Sequence, residues 1–304
     1  MYDILILGSG PAGLTAALYA ARANKKTLVL GGADMGGQLR VIHKLENYPG
    51  FIGTGAELAE FIKKQVESFG VEIVSANAKM IRNKEQETGY KVVADNGTEY
   101  ESRVVIIATG ATPRKLDITG AREFMGRGIS YCATCDGFFY KDKDVLVIGG
   151  GNSALSDALY LADVAKSVTI LYRKSAFSRA EQIQVDRVNA TKNIRVMFNT
   201  ELASVGGNDS GLTHAVTHSG ETIACDGVFV AIGHEANTDF LADTFERDVA
   251  GRVVPDGLAP GMFVAGDVRS GVKMQVATAV GTGCECAIDA IEYLNNGVAQ
   301  IRYV

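Results

Sequence analysis

A repeated segment constrains this chain of 304 residues more than any other feature of its sequence. Residues 3–30 and residues 144–171 align without a gap at a shift of 141 positions (149 − 8 = 141), so that Lys25 corresponds to Lys166. Each copy reads as a strand, a glycine turn, a helix and a second strand. Chance is a poor explanation for a match of this length. The repeat therefore predicts two βαβ units that bind dinucleotides.

The first copy carries its glycines in the context that a dinucleotide site requires. The apolar run Ile4–Leu7 predicts a parallel strand buried on both faces. Directly after it, Gly8 makes the turn, Gly10 admits a pyrophosphate close to the backbone, and Gly13 lets the next helix pack on the strand. The N-terminal N–H groups of that helix then point at the phosphate.

The residues after the second strand differ between the two copies. The first copy continues with neutral residues and then an acidic one, Gly31-Gly32-Ala33-Asp34, whereas the second continues with Tyr172-Arg173-Lys174 and has Arg179 nearby. Cations at this position suit the 2′-phosphate of NADP, and an acidic residue suits a free ribose hydroxyl. A solvated basic edge is the competing interpretation of the second copy.

Between the two glycine loops lies a pair of cysteines separated by two residues. Cys132 and Cys135 can close a small disulfide, and a low-pKa thiolate in such a pair can attack another disulfide. Asp136, directly after the pair, could supply or remove the proton that exchange requires. The spacing alone is also compatible with zinc binding or coincidence. Two flanking dinucleotide sites favour redox chemistry, and hence a flavoprotein that reduces disulfides.

The order of the buried strands predicts how the domains are connected. The apolar runs 104–110 and 227–233 each end a domain segment, which places linkers near 111–115 and near 234–243. The chain then returns through 261–267 to a C-terminal helix over about residues 275–294. We therefore predict an α/β fold with two Rossmann-like domains, the second inserted into the first: 1–112 with 245–304, and 113–244.

Composition excludes several classes of protein. A hydrophobic fraction of 47% with 21% charged residues is typical of a soluble globular chain. The net charge of −5, without a Lys/Arg run, argues against a nucleic-acid partner, and no apolar run approaches the ~20 residues of a membrane span. Met1 leads straight into a strand, leaving no room for a signal peptide, and an odd number of cysteines suits a reducing compartment. We expect a cytoplasmic protein.

The motifs occur in the order of the bacterial-type, low-molecular-weight thioredoxin reductases, which the chain resembles over nearly its whole length. The stretch Cys-Ala-Thr-Cys-Asp-Gly is the most specific motif of the resemblance. The others are Gly8–Gly13, Gly36–Leu39, Glu46–Gly50, Ala108–Gly110, Gly149–Ala154 and Gly266–Asp267. The resemblance implies FAD in the domain made of both termini, and NADPH with the disulfide in the inserted domain. It also implies thioredoxin, or a thioredoxin-like protein, as partner, and we expect a homodimer.

The resemblance assigns roles to individual residues. Cys135 is expected against the flavin, Cys132 exchanges with thioredoxin, and Asp136 is the acid. The FAD residues are Gly8, Ser9, Gly10, Pro11, Ala12, Gly13, Gly31, Gly32, Asp34, Gly36, Gly37, Gln38, Asn47, Thr109, Gly110, Asp267, Gln275 and Val276. The NADP residues are Gly149, Gly151, Asn152, Ser153, Ala154, Arg173, Lys174 and Arg179. No metal site is expected.

Three departures from the family pattern concern the electron donor. The family usually has His-Arg-Arg and a further Arg four positions on, whereas here Tyr172-Arg173-Lys174 is followed by Arg179. Lysine cannot copy the bidentate fork of arginine. Met274-Gln275 replaces a common Arg-Gln, and Ser156-Asp157 stands where an acidic pair is common. NADH and reduced ferredoxin therefore stay open as donors. A non-catalytic nucleotide-binding redox sensor and a reductase of a different acceptor stay open as functions.

The remaining cysteines are predicted to be inert. Cys284 and Cys286 lie on the apolar C-terminal helix and Cys225 borders a strand, where free cysteines are usually buried. Zinc binding would require four convergent thiolates, which the one-residue spacing of Cys284 and Cys286 does not favour. The histidines, at 43, 214, 218 and 234, show no ligand spacing.

Overall fold

The computed structural model describes residues 1–32, 35–42, 45–84 and 89–296. The first segment of the chain holds β1 (Tyr2–Leu7), α1 (Pro11–Arg22), β2 (Thr27–Leu30), β3 (Leu45–Tyr48), β4 (Phe51–Gly53), α2 (Gly55–Glu67), β5 (Glu72–Val74), β6 (Ala78–Asn83), β7 (Tyr90–Ala94), β8 (Glu99–Ile107) and β9 (Ala111–Pro113). The middle segment holds β10 (Ile129–Ser130), α3 (Ala133–Asp136), β11 (Asp144–Ile148), α4 (Asn152–Ala162), β12 (Ser167–Tyr172), α5 (Gln182–Ala190), β13 (Ile194–Phe198), β14 (Leu202–Asn208), β15 (Gly211–Thr217), β16 (Thr222–Ala224), β17 (Gly227–Val230) and β18 (His234–Ala236). The last segment holds β19 (Met262–Val264) and α6 (Val276–Asn296).

The sequence repeat is also a structural repeat. In each copy the first strand pairs in parallel with the second, and every aligned pair keeps the shift of 141 positions, as Leu5–Leu28 and Leu146–Thr169 show (146 − 5 = 169 − 28 = 141). The glycine turns are fixed by equivalent backbone bonds as well. The Gly8 N–H donates to Leu30 O at 2.8 Å, and the equivalent Gly149 N–H donates to Leu171 O at 3.1 Å.

In the unit that holds both termini, the sheet runs β5-β2-β1-β8-β7-β6, and β19 also pairs with β8. Successive side chains of a strand point to opposite faces, which explains the all-apolar run of β1. Ile4 and Ile6 pack against α1 and α6, whereas Leu5 and Leu7 enter a second core that includes Val253. Burying a side chain of this size contributes about 1.5–3 kcal/mol. Both faces of β1 are therefore core, as its sequence predicts.

In the middle unit, parallel strands run in the order β10-β17-β11-β12-β13. Val145 and Val147 on β11 face a core that includes α4, whereas Leu146 faces a core shared with the antiparallel sheet β14-β15-β16. The carboxyl ends of β11 and β12 meet at one edge, where α4 begins. Parallel α/β sheets bind their ligands at this kind of edge.

The chain forms two compact units, Met1–Thr112 with Glu235–Val304, and Pro113–His234. The first division coincides with the expected end of the first segment at 112. The second division falls between 234 and 235, ten residues before the predicted boundary between 244 and 245. Residues 235–244 belong to the first unit because Asn237 donates its N–H to Gly110 O at 3.0 Å and Leu241 is buried in the core around Leu5.

Candidate active site

The cysteine pair in the middle unit is a disulfide, Cys132–Cys135. Cys132 precedes the first turn of α3, and its Sγ accepts a hydrogen bond from the Cys135 N–H at 3.1 Å. Cys135 is exposed, whereas Cys132 is partly buried. After reduction, a backbone donor directed at Cys132 Sγ stabilises a thiolate there, and the thiolate is the form that attacks another disulfide.

Ser130, which no motif singled out, holds the acidic residue of the pair. Its hydroxyl lies 2.6 Å from Asp136 Oδ2, and its Oγ accepts a hydrogen bond from the Cys132 N–H at 3.0 Å. Ser130 is only 4% exposed and pairs in register with Phe229 of β17. The carboxyl group is therefore tied to the edge of the sheet. The one sequence signal for Ser130 is its place two residues before Cys132.

Two exposed phenylalanines follow the disulfide. Phe138 is 72% exposed and Phe139 is 70% exposed, and their rings meet edge to face at 6.5 Å. Gly137, just before them, is buried against the Tyr160 ring of α4, where a Cβ would come within 2.8 Å. The turn that presents the two rings is therefore held in place. Exposed aromatic rings beside a reactive group form a surface that suits a protein partner.

The glycine loop of the first unit leaves room for a pyrophosphate. A Cβ on Gly8 would lie 2.2 Å from Ala108 O, and one on Gly13 would lie 1.9 Å from Gly8 O, whereas one on Gly10 would meet nothing within 4 Å. Gly8 also has a φ of +114°. Close packing thus requires glycine at the two outer positions, while Gly10 borders open space at the start of α1. These residues fit the pyrophosphate of FAD.

The next predicted FAD residues lie beside this loop. The Gly36 N–H donates to Ser9 O at 3.0 Å, and a Cβ on Gly37 would lie 3.2 Å from Gly10 Cα. The Ser9 hydroxyl donates to Gly31 O at 2.7 Å. Three further predicted residues are described at the same edge: Pro11 and Ala12 in the first turn of α1, and Gly32 after β2. Asp34 lies outside the described residues.

Thr109 and Gly110 are held by Asn237, which the sequence analysis missed. Thr109 Oγ1 donates to Asn237 O at 2.7 Å, and Asn237 Nδ2 donates back to Thr109 O at 2.8 Å. Gln38 donates through Nε2 to Ala111 O. The motif Ala-Thr-Gly is thus stabilised on one side by Gln38 and on the other by Asn237. This asparagine lies 128 positions away in the chain, so no local pattern connects it with Thr109.

Asp267 lies in a short 3₁₀ turn after β19, close to α1. A Cβ on the preceding Gly266 would lie 2.8 Å from Ala12 Cβ. Burial raises the pKa of Asp267, and the positive charge of Arg252 opposes that rise. Arg252 also donates to Met274 Sδ at 3.3 Å. A cation from another segment therefore stands beside Met274, the position where the family often has arginine.

The C-terminal helix begins one residue later than predicted, at Val276, and ends at Asn296. Gln275 lies at its boundary, because Gln275 O accepts the Ala279 N–H at 2.9 Å. Asn47 Nδ2 donates to Gln275 Oε1 at 3.2 Å. The structure thus brings Asn47 to Gln275 and Val276, which are adjacent in the chain, so that three predicted FAD residues meet at the positive end of a long helix.

The glycine loop of the middle unit has the same outline. A Cβ on Gly149 would lie 2.2 Å from Ala231 O, and one on Gly151 would meet nothing within 4 Å. Gly151 precedes the first turn of α4, in which Asn152 and Ser153 lie, and Ala154 is fully buried where the first copy has glycine. The open space beside Gly151 fits the pyrophosphate of a second dinucleotide.

The segment after β12 folds back onto this second loop. The Tyr172 ring lies against Gly150, where a Cβ would come within 2.4 Å of it, and it stacks on Phe177 at 5.7 Å. Asn152 Oδ1 accepts the Glu181 N–H at 2.7 Å. The backbone of Arg179 forms an isolated parallel bridge with that of Gly151. The side chains of Arg173, Lys174 and Arg179 are exposed, so this anchored segment presents cations to solvent near the loop.

Asp157 on α4 is a titratable group whose behaviour the sequence does not reveal. Its side chain is partly buried, and burial raises its pKa to about 7. The equivalent position in the first copy is Ala16 (157 − 141 = 16), which is fully buried. A carboxyl group therefore occupies a position of the repeat that an alanine fills in the other copy.

The other thiols are free: Cys225, Cys284 and Cys286. Burial raises the pKa of Cys225 and of Cys286 to about 12, so both are unreactive thiols. Cys284 is partly exposed rather than buried, and the Tyr19 hydroxyl is hydrogen-bonded to it. Within the described part of the chain, no three His, Cys, Asp or Glu side chains converge as metal ligands. Among the same residues, no helix has the length and apolarity to cross a membrane.

Comparisons with known proteins agree with this geometry. The sequence model described as "Pyridine nucleotide-disulphide oxidoreductase" matches residues 2–283. The chain belongs to this family. It is 39% identical to the thioredoxin reductase of Rickettsia felis over 96% of this chain and 98% of that one. It is also 41% identical to a Pseudomonas fluorescens protein named glucosaminate ammonia-lyase, over 96% of this chain and 95% of that one.

A solved structure shows the same fold over nearly the whole chain. The thioredoxin reductase of Lactococcus lactis superposes with a TM-score of 0.92 at 36% identity, over 97% of this chain and 99% of that one. The predicted fold of two Rossmann-like domains is confirmed. The chain is a flavoprotein disulfide reductase, and thioredoxin reductases of this family depend on FAD and use NADPH. These findings favour the reductase over a redox sensor and over a ferredoxin-fed enzyme.

Proposed function

We propose that the chain reduces the disulfide of thioredoxin, or of a thioredoxin-like protein, with electrons from NADPH. The observation that supports this most is the Cys132–Cys135 disulfide, with a backbone donor on Cys132 Sγ and two exposed phenylalanines next to it. A thiol pair beside an apolar surface suits a partner that presents its own disulfide on a protein surface.

Each cysteine has its own part in the exchange. Once the pair is a dithiol, the Cys132 thiolate attacks one sulfur of the partner's disulfide, which forms a mixed disulfide and releases one partner sulfur. Asp136 gives that sulfur its proton. Cys135 then attacks Cys132 Sγ, so that the enzyme disulfide forms again and the second partner sulfur leaves. Two electrons and two protons pass from the dithiol to the partner.

The first unit is proposed to bind FAD and the inserted unit NADPH. Gly10, Gly37, Asp267 and the start of α6 would hold FAD, and the open side of Gly151 with the cations of the 173–179 segment would hold the nucleotide. When bound, FAD supplies a two-electron carrier between nicotinamide and disulfide. Asp267 would accept hydrogen bonds from ribityl hydroxyls.

The direct test is anaerobic titration of the yellow protein with NADPH, NADH and reduced ferredoxin, followed by turnover with oxidised thioredoxin. We expect NADPH to bleach the flavin and to support steady reduction of thioredoxin. Bleaching by ferredoxin alone would overturn the proposed donor. Bleaching by NADPH without thioredoxin turnover would overturn the proposed acceptor and favour another disulfide partner or a sensor.

The similarity to a protein named as an ammonia-lyase calls for a second assay. Elimination of ammonia needs no change in the oxidation state of a cysteine pair, whereas this chain contains a disulfide and two glycine loops that fit dinucleotides. We therefore expect no ammonia release from glucosaminate, and the Cys132→Ser variant is the control. Ammonia release that survives in that variant would show a second activity that does not involve the disulfide.

We further propose that the protein acts in the cytoplasm and as a homodimer. The free thiols at Cys225, Cys284 and Cys286 suit a reducing compartment. Size-exclusion chromatography with light scattering tests the dimer, and fractionation of the native host tests the compartment. A monomer at micromolar concentration would overturn the proposed assembly.

A further inference from the structure

We propose that Ser130 is a positioning residue for Asp136, and that its hydroxyl group allows the carboxyl group to gain or lose a proton in place. This rests on the proposed function, in which Asp136 protonates the departing partner sulfur. The inference comes from three contacts of the buried Ser130 hydroxyl group. Two of them are with the Cys132 backbone, and the third is with the Asp136 side chain.

The Ser130 hydroxyl group has two acceptors within hydrogen-bond distance but only one proton to donate. Its Oγ lies 2.6 Å from Asp136 Oδ2 and 3.2 Å from Cys132 O, both of which are acceptors when the carboxyl group is ionised. The same Oγ accepts the Cys132 N–H at 3.0 Å. A hydroxyl group has one proton and two lone pairs, so the proton points either at the carboxylate or at the carbonyl group.

Two arrangements follow, one for each protonation state of Asp136. With the carboxylate, Ser130 donates to Oδ2. With the carboxylic acid, Asp136 donates to Ser130 Oγ, and the Ser130 proton turns to Cys132 O. In both arrangements Ser130 keeps its proton, and its buried Oγ keeps hydrogen-bond partners. The proton given to the partner sulfur comes from Asp136, and Ser130 only reorients.

The backbone holds both residues in place for this exchange. Ser130 is the last residue of β10 and pairs with Phe229, and the Asp136 N–H donates to Cys132 O at 3.1 Å. The Cys132 carbonyl group is therefore shared by the helical turn and by the second position of the serine proton. A group positioned by buried hydrogen bonds keeps its geometry while its charge changes.

Other titratable groups on the elements packed around α3 must be separated from this effect. Burial raises the pKa of Tyr140, and the charges of Asp136 and then Asp226 add to that rise. On α4, Tyr160 lies against Gly137, and Asp157 has a pKa of about 7. Because Asp157 titrates in the physiological range, Asp157→Asn is the necessary control for any pH profile.

The test compares two disulfide substrates with different leaving groups, using FAD-loaded enzyme reduced anaerobically with dithionite and freed of excess reductant. The thiolate released from bis(2-hydroxyethyl) disulfide needs a proton to leave well, whereas thionitrobenzoate from DTNB leaves without one. Single-turnover rates between about pH 5.5 and pH 9 are followed by acid quenching and titration of the remaining enzyme thiols. No nucleotide is required, so the NADPH site does not enter the measurement.

For Ser130→Ala we expect about tenfold slower reaction with the dialkyl disulfide, because Asp136 loses the hydrogen bond that positions it as the acid. Ser130→Thr restores the hydroxyl group and should return this rate toward wild type. DTNB rates should stay within about twofold of wild type in both variants.

Several outcomes would overturn the proposal. One is a Ser130→Ala profile that coincides with wild type. Another is an equal loss with both substrates, which would mean that Ser130 only supports the disulfide. A third is a loss with the dialkyl disulfide that is as large in Asp157→Asn as in Ser130→Ala. If Asp136→Asn leaves the dialkyl reaction unchanged, the acid assigned in the proposed function is wrong as well; if only Ser130→Ala is silent, that acid stands and Ser130 alone is excluded.

Discussion

The two glycine loops of this chain share a sequence pattern but differ in the side chains that lie against them. In the first, the Ser9 hydroxyl group donates to Gly31 O, and a Cβ on Gly31 would lie 3.1 Å from Ser9 Cβ. In the second, the equivalent pair is Gly150 and Tyr172, and the tyrosine ring lies on the glycine. The bulky and the small partner have changed places between the two copies. The residues after the second strand, rather than the glycines, therefore distinguish the two loops, and the proposed difference in ligand rests on them.

The largest expected effect is the loss of thioredoxin reduction, with nucleotide binding retained, when either cysteine of the disulfide is replaced. Cys132→Ser and Cys135→Ser should each abolish thioredoxin reduction, because neither variant can form or resolve the mixed disulfide. FAD content and NADPH binding should stay at wild-type levels, because the cysteines lie outside both glycine loops. Steady-state turnover and equilibrium dialysis measure the two properties.

Cys284→Ser is the matched control for the cysteine variants, since Cys284 is a free, partly exposed thiol on α6. Its turnover should equal that of wild type. Thioredoxin reduction that persists in Cys135→Ser but disappears in Cys284→Ser would reverse the assignment of the redox pair.

The second prediction exchanges the residues that distinguish the two helix starts. In Gly13→Ala the new Cβ would lie 1.9 Å from Gly8 O, a backbone atom that cannot move without the turn. We expect destabilisation of about 1–3 kcal/mol or more and a marked loss of bound FAD. The reciprocal change, Ala154→Gly, leaves the turn intact and should destabilise by about 1 kcal/mol, as glycine usually does in a helix. Urea unfolding and flavin absorbance measure the pair of variants.

In the comparison of the two loops, the contact with Gly8 O excludes alanine at position 13 of the first loop. A Gly13→Ala variant with unchanged stability and FAD binding would contradict it. Wild-type FAD affinity together with an unchanged unfolding midpoint would mean that the first loop can accommodate an alanine at this position, as the second loop accommodates Ala154. Equal losses in Gly13→Ala and Ala154→Gly would show that helix propensity, not the contact with Gly8 O, sets the cost.

The third prediction concerns the carboxyl group that replaces alanine in the second copy. The folded state holds a proton on Asp157 up to about pH 7, whereas the unfolded chain releases it near 3.8. Between these values folding takes up a proton, so stability falls as pH rises and the loss is complete above about pH 7. Asp157→Ala copies Ala16 of the first repeat and should remove this fall. At pH 8 we expect a gain on the order of 2–4 kcal/mol over wild type, nearer the lower value because the side chain is partly exposed.

Urea unfolding at about pH 4 and pH 8 measures this difference, since wild type and variant should be closest in acid. Asp163→Ala is the matched control, because Asp163 is the exposed C-terminal neighbour of the same helix. A gain that is equal at both pH values would contradict the proton linkage and would indicate packing or helix propensity instead.

The repeat, the parallel order of strands and both glycine cradles could be predicted because they depend on short local patterns. The apolar run of β1 predicts a buried strand, and the spacing of Gly8, Gly10 and Gly13 predicts a tight turn before a helix. The contacts that complete the sites could not be predicted in this way. Asn237 reaches Thr109 across 128 positions, and Arg252 reaches Met274 from a segment with no motif.

The second division of the chain differs from the predicted boundary for a related reason. Residues 235–244 look like a linker in sequence, with few apolar residues in a row. Their place is decided by single contacts, such as the burial of Leu241 in the core around Leu5, which no periodicity announces. Ser130 was missed because serine at the end of a short strand is ordinary, and only its 2.6 Å contact with Asp136 gives it a role.

The last prediction concerns the contribution of the basic segment, residues 173–179, to nucleotide binding at the second loop. Arg173→Ala should weaken NADPH binding about ten- to hundredfold, the cost of one charged hydrogen bond of roughly 1.5–3 kcal/mol, and should change NADH binding far less. Arg179→Ala should behave alike, because its bridge to Gly151 uses the backbone and survives the substitution. Arg195→Ala, an exposed arginine on β13, removes the same charge from the same unit and should change neither affinity. Titration of the flavin absorbance with each nucleotide gives the two affinities. Equal losses of NADPH and NADH in Arg173→Ala would mean that the basic segment does not read the 2′-phosphate, and that the second copy differs from the first only in how its loop is covered.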